Sequence, residues 1–134
     1  MTTVFPLSFA QRRLCFLHGL DASGAAHGTA RCFQVTGPLV PSALRAAMDL
    51  LVARHEPLRT VFPSGTHQRV EPPAPACVRM FDVSDDADVA RRIDALLLEP
   101  FDLERGPLAR LTVLRRSEHE HLLLFSLHLL VADG

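Results

Sequence analysis

The sequence predicts an α/β fold, a mixed sheet with flanking helices, and three observations carry that expectation. Stretches with apolar residues at helical spacing alternate with stretches of two-residue alternation along the 134-residue chain. A segment near the end, "HLLLFSLHLLV" (121–131), is apolar on both faces, as a central strand covered on each side would be. The composition is 48% hydrophobic, with eight Phe and neither Trp nor Tyr, which is enough apolar material for a core and argues against disorder. The length suits one domain or part of one.

The elements follow in order. "LSFAQRRLCFLHG" starts with Ser8 and has Gln11 three residues on, the spacing of a capping box. Ala10, Leu14 and Leu17 then share a helical face, and Gly19 offers a stop. "DASGAAHGT" reads as a loop and "ARCFQVTG" as a strand. Pro41 and Ser42 open a second helix with an apolar stripe of Leu44, Ala47, Met48 and Leu51. Its last turn carries Arg54 and His55, where cations suit the helix dipole, and Pro57 forbids continuation. "LRTVF" (58–62) reads as a short strand, "PSGT" as a turn and "HQRV" as the return strand. "EPPAPA" is a stiff extended connector within the domain. "CVRMFDV" is a strand, and from about Asp85 a helix places Val89, Ile93, Leu96 and Leu97 on one face until Pro100. "GPLARLTVLRR", a turn at "SEHE", and the doubly apolar 121–131 segment complete a hairpin. No internal repeat or low-complexity tract interrupts this order.

Several function classes are disfavoured. The formal net charge is −1, with 14 basic and 15 acidic residues, and the arginines are scattered, so no nucleic-acid footprint is expected. No stretch has the ~18 apolar residues of a membrane span, and the start lacks the pattern of a signal peptide. A cytoplasmic protein with no membrane partner is the expectation. Cys15, Cys32 and Cys77 show no CxxC spacing and suggest neither disulfides nor zinc. His119 and His121 lie at the predicted turn without a third ligand. His55 and Glu56 do not extend to HExxH, and Ser126 lacks a GxSxG context.

Four ordered stretches remain. "LSFAQRRLCFL" (Leu7–Leu17), "RHEPLRTVF" (Arg54–Phe62), "PFDLERGPLARL" (Pro100–Leu111) and "HLLVADG" (His128–Gly134) resemble motifs of the condensation domains of nonribosomal peptide synthetases. The counterparts there read SxAQxRLWFL, RHExLRTxF, PFDLxxGPLxR and HHxxxDG, and Cys15 stands where an aromatic residue is usual. The resemblance spans essentially the whole chain. It implies a lobe like that of chloramphenicol acetyltransferase, here the N-terminal portion of a condensation domain (1–134) truncated just after the HHxxxDG-like motif. It also implies amide bond formation in secondary-metabolite biosynthesis, between acyl groups carried as thioesters on the phosphopantetheine arms of peptidyl carrier proteins. By the same resemblance the domain itself is expected to hold no cofactor or metal. Other synthetase domains, and a second polypeptide completing the lobe, are the further partners it points to.

The motif positions are His128, Asp133 and Gly134, but the second histidine of the pattern, the family's base or positioner, corresponds to Leu129. Such an imidazole contributes about 10²–10⁴-fold, and leucine can neither take nor give a proton. On an extended strand His128 faces away from position 129, so only a one-residue slip would let it substitute, and that would invert the "LLLFSL" pattern. A buried histidine bonded to backbone is the preferred reading of His128. By resemblance Asp133 pairs with Arg54 or Arg59, with Arg59 favoured as the residue on a strand; the alternative is that Asp133 only starts a turn. Gly134 fits a tight backbone or is simply terminal. Two readings stay open: an enzyme fragment, or a non-catalytic module that docks carrier proteins or synthetase subunits.

Overall fold

The computed structural model describes residues 2–132. Among them, seven strands and three α-helices follow the order β1 (Thr3–Pro6), α1 (Phe9–Leu20), β2 (Gly28–Thr36), α2 (Pro41–Arg54), β3 (Thr60–Val61), β4 (His67–Val70), β5 (Cys77–Asp82), α3 (Asp86–Leu97), β6 (Ala109–Ser117) and β7 (Glu120–His128). The strands form a mixed four-stranded sheet in the order β2-β7-β6-β5 and a small three-stranded sheet in the order β1-β4-β3. In the larger sheet β5 runs parallel to β6, while β6–β7 and β7–β2 are antiparallel.

Strand β7 occupies the interior of that sheet, paired on both edges, which is why it can be apolar on both faces. Leu122 and Leu124 point to one side with Leu114 of β6, where α3 covers them through Val89, Ile93 and Leu96. Leu123 and Phe125 point to the other with Leu111 of β6 and Val78 of β5, beneath Leu44 and Met48 of α2. A third core gathers Leu7, Phe62, Phe101, Leu103, Leu108 and Leu130 where the small sheet meets the end of β7, with Leu14 and Cys15 of α1 packed on it. All four motif-like stretches contribute residues to this last cluster.

Helix α1 begins as its sequence signals. The Ser8 hydroxyl accepts the Gln11 amide at 3.1 Å, and the Gln11 side chain accepts the Ser8 amide at 2.8 Å. Because no α1 residue is fully buried, this cap matters more than it would on a well-packed helix. Ser8→Ala is expected to cost about 1 kcal/mol, measured as a lower urea midpoint at unchanged slope.

Four points depart from the sequence reading. β1 had no sequence signal: four residues, all exposed and ending in proline, form an edge strand held by β4. The predicted strand 58–62 shrinks to Thr60–Val61, because Pro57 starts a 3₁₀ turn over Glu56–Arg59 that puts Arg59 on the turn, not on a strand. The last strand stops at His128, and Leu129–Val131 form a turn. His121, placed in a solvated turn by the sequence, is instead buried on β7 at 4% exposure.

Candidate functional site

The turn after β7 is fixed by three consecutive backbone amides. Leu129 N–H donates to the His27 carbonyl at 2.9 Å, Leu130 N–H to the His128 ring Nδ1 at 3.1 Å, and Val131 N–H to the His128 carbonyl at 3.0 Å. His128 N–H in turn donates to the Leu108 carbonyl at 2.9 Å. The result separates the two neighbouring side chains. His128 is 0% exposed, whereas Leu129 is 39% exposed. Leu129 lines a cleft of about 460 Å³ together with Ser8, Gln11, Glu56, Thr60 and Gln68, and also borders a smaller cavity of about 130 Å³ toward β2.

Around His128 the structure assembles groups that are far apart in sequence. His128 Nε2 lies 3.3 Å from His18 Nδ1 of α1, and the His27 ring centroid lies 6.4 Å away. Phe101 meets the His128 ring edge-on at 5.5 Å. Burial first, and then the charges His18 and His27 would carry, push the His128 pKa down to about 4. Neither His18 nor His27 stood out in the sequence, because each is an isolated His-Gly pair and their meeting with His128 spans up to 110 residues.

The loop that carries His27 is itself built tightly. The Asp21 carboxylate accepts the Ser23 and Ala26 amides and the Ser23 hydroxyl, which holds its pKa at about 2. Gly24 sits at φ +69°, and a Cβ there would fall 2.9 Å from Pro100 Cβ, so the loop can lie against the Pro100–Phe101 segment only with glycine. That segment is anchored from below. Arg79 grips Glu99 with two hydrogen bonds of 2.9 Å, Arg110 adds one of 3.1 Å, and the Arg110 guanidinium lies 3.9 Å from the Phe101 ring centroid. Hydrogen bonds from Arg79 hold the Glu99 carboxyl below its usual range.

Of the remaining sequence-predicted site residues, Arg59 is mostly buried and donates to the Glu71 carbonyl, with Glu56 at 3.7 Å. Arg54 ends α2 and is exposed. The pairing of either with Asp133 cannot be placed, since Asp133 and Gly134 lie outside the described residues.

The condensation domain model matches residues 1–134. The chain belongs to the condensation domain family. Chondramide synthase cmdD of Chondromyces crocatus is 41% identical over 140 residues, which cover 98% of this chain and 4% of that synthase. Tyrocidine synthase 3 of Brevibacillus parabrevis is 34% identical over 133 residues, covering 97% of this chain and 2% of the synthase. Among solved structures, the X-domain from teicoplanin biosynthesis superposes with TM-score 0.84 at 29% identity, covering 93% of this chain and 28% of that one. A mutant starter condensation domain of the rhizomide synthetase RzmA gives TM-score 0.87 at 22% identity, covering 98% and 34%, a likeness of fold. The chain therefore corresponds to the N-terminal part of a nonribosomal peptide synthetase condensation domain and spans a small share of its relatives' length. The α/β architecture with a mixed sheet is as the sequence predicted.

Proposed function

We propose that this chain is the N-terminal portion of a condensation lobe that forms no amide by itself. The observation that carries this reading is the division of labour at the motif turn: the side chain facing the cleft is Leu129, while His128 is enclosed. In the family reaction the acceptor amine attacks the donor thioester carbonyl, a C–N bond forms, the C–S bond breaks, and the amine's proton leaves as the thiol is released. The cleft offers the Ser8, Gln11, Thr60 and Gln68 side chains and the Glu56 carboxylate, but its turn presents hydrocarbon where the imidazole would act.

A second feature supports the need for the rest of the domain. Helix α2 covers β5 and β6 and reaches Leu123 and Phe125 of β7, leaving the β2 edge of the same face open, with Phe33 55% exposed and Leu127 half-buried. The open edge suits cover from the continuation of the lobe, on this polypeptide or a second one. The partners of the completed domain would be peptidyl carrier proteins bearing phosphopantetheine thioesters.

The test mixes the chain with two loaded carrier proteins and looks for the condensed product by mass spectrometry. None is expected, and product formation would overturn the reading. With the remainder of a condensation domain supplied, Leu129→His is expected to raise turnover by about 10²-fold or more; no gain would show that the site is unfit in other respects.

A docking module is the second reading, favoured by one specific observation. The teicoplanin X-domain, 29% identical to this chain, has been solved in complex with OxyB. On that reading, Leu129→His changes nothing in binding, and the chain shifts amide resonances of a protein partner without any thioester attached.

A further inference from the structure

We propose that His18 is a positioning residue: as hydrogen-bond acceptor for His128 it fixes the tautomer of that ring, and through it the backbone of the turn that presents position 129.

The polarity of the backbone groups is fixed. The Leu130 amide can only donate, and it points at His128 Nδ1 from 3.1 Å. Nδ1 must therefore carry a lone pair. A neutral imidazole has one N–H, so the proton of His128 resides on Nε2. Nε2 faces His18 Nδ1 at 3.3 Å, which makes His18 Nδ1 the acceptor and places the His18 proton on its own Nε2. One assignment satisfies the whole chain from Leu130 N–H through both rings. A proton added to His18 Nδ1 sets two N–H groups face to face, and a proton added to His128 Nδ1 abolishes the bond to Leu130.

Among the described residues, His18 Nδ1 is the hydrogen-bond partner of His128 Nε2. The His128 ring is fully buried, with Phe101 edge-on at 5.5 Å and backed by the Arg110 guanidinium, and with the His27 ring 6.4 Å away. On α1, the partly buried Cys15 thiol lies one turn before His18. An Nε2–H without its acceptor would be a buried orphan donor, and the alternative tautomer would leave the Leu130 amide unpaired instead. No hydrogen bond among the described residues joins His18 to the backbone of 129–131, so His18 acts on the turn through His128. The inference concerns the chain as it stands; only the importance of position 129 rests on the condensation reading.

The test uses the ¹⁵N-labelled 134-residue chain at neutral pH. Long-range imidazole correlations are expected to show His128 with bare Nδ1 and protonated Nε2. Asparagine can place an oxygen acceptor where His18 Nδ1 lies, whereas phenylalanine keeps the ring and removes the acceptor. His18→Asn is therefore expected to keep the hydrogen-exchange protection of the Leu130 amide, and His18→Phe to lower it about tenfold. Equal protection in the two variants, whether both kept or both lost, would reduce His18 to packing and overturn the proposal. Should the Phe variant not fold, the tautomer spectrum of the unsubstituted chain decides alone, and an Nδ1-protonated His128 refutes it.

Discussion

Phe62→Ala is expected to lower the unfolding free energy by about 3–5 kcal/mol. Phe62 is 1% exposed and sits in the core shared by Leu7, Phe101, Leu103, Leu108 and Leu130. Its own amide donates to the Leu103 carbonyl at 2.7 Å, so the ring and the backbone tie β3 to the segment after α3. The contributors come from the segments that flank β1, β3, β6 and β7, so no single element can move in to fill the space left by the ring. A cavity term then adds to the lost transfer energy. Phe62→Leu, which leaves most of the volume, is expected to cost about 1–1.5 kcal/mol. Urea titration separates the two, and a loss below about 1 kcal/mol for Phe62→Ala would mean this cluster collapses freely and does not brace the turn. Since Leu130 belongs to the cluster, the alanine variant should also speed exchange of the Leu129 and Leu130 amides.

The elements legible in the sequence were those whose ends are chemically marked. Helix α2 runs Pro41–Arg54, opened by a residue that fits the first helical turn and closed ahead of Pro57. Helix α1 announced its start through Ser8 and Gln11. The central position of β7 followed from its two apolar faces. What escaped was set by partners distant in sequence. β1 exists because β4 offers it an edge, and nothing local in Thr3–Pro6 says so. Segment 58–62 looked like a strand by composition, yet a proline at its approach supports a 3₁₀ turn that consumes Leu58 and Arg59. The site divides in the same way. Strand geometry predicts that residues 128 and 129 face apart, yet it is the turn after β7 that separates them, and His18 and His27 come to His128 only through the fold.

Acid is expected to destabilise the protein well above the range in which its carboxylates titrate. His128 has a folded pKa of about 4 against an ordinary value of 6.5, because burial and its imidazole neighbours disfavour the cation. The unfolded chain therefore binds a proton that the folded one refuses. The stability this contributes is complete above pH 6.5, falls as the pH drops from 6.5 toward 4, and is gone below that. The full difference is about 3 kcal/mol, of which about 2 kcal/mol should be lost between pH 7 and pH 5. The carboxylates held low, Asp21 at about 2 and Asp88 and Glu99 lowered by their hydrogen bonds, act in the same direction but at lower pH. Their stabilisation is present above the ordinary carboxylate range and disappears as the pH falls through the folded values. Acid unfolding should thus begin with an imidazole. His128→Asn retains an acceptor for the Leu130 amide without a titrating ring, so its urea midpoint should be nearly flat between pH 7 and pH 5 while that of the unsubstituted chain declines. Parallel curves for the two proteins would move the acid sensitivity away from His128 and leave its burial without thermodynamic consequence.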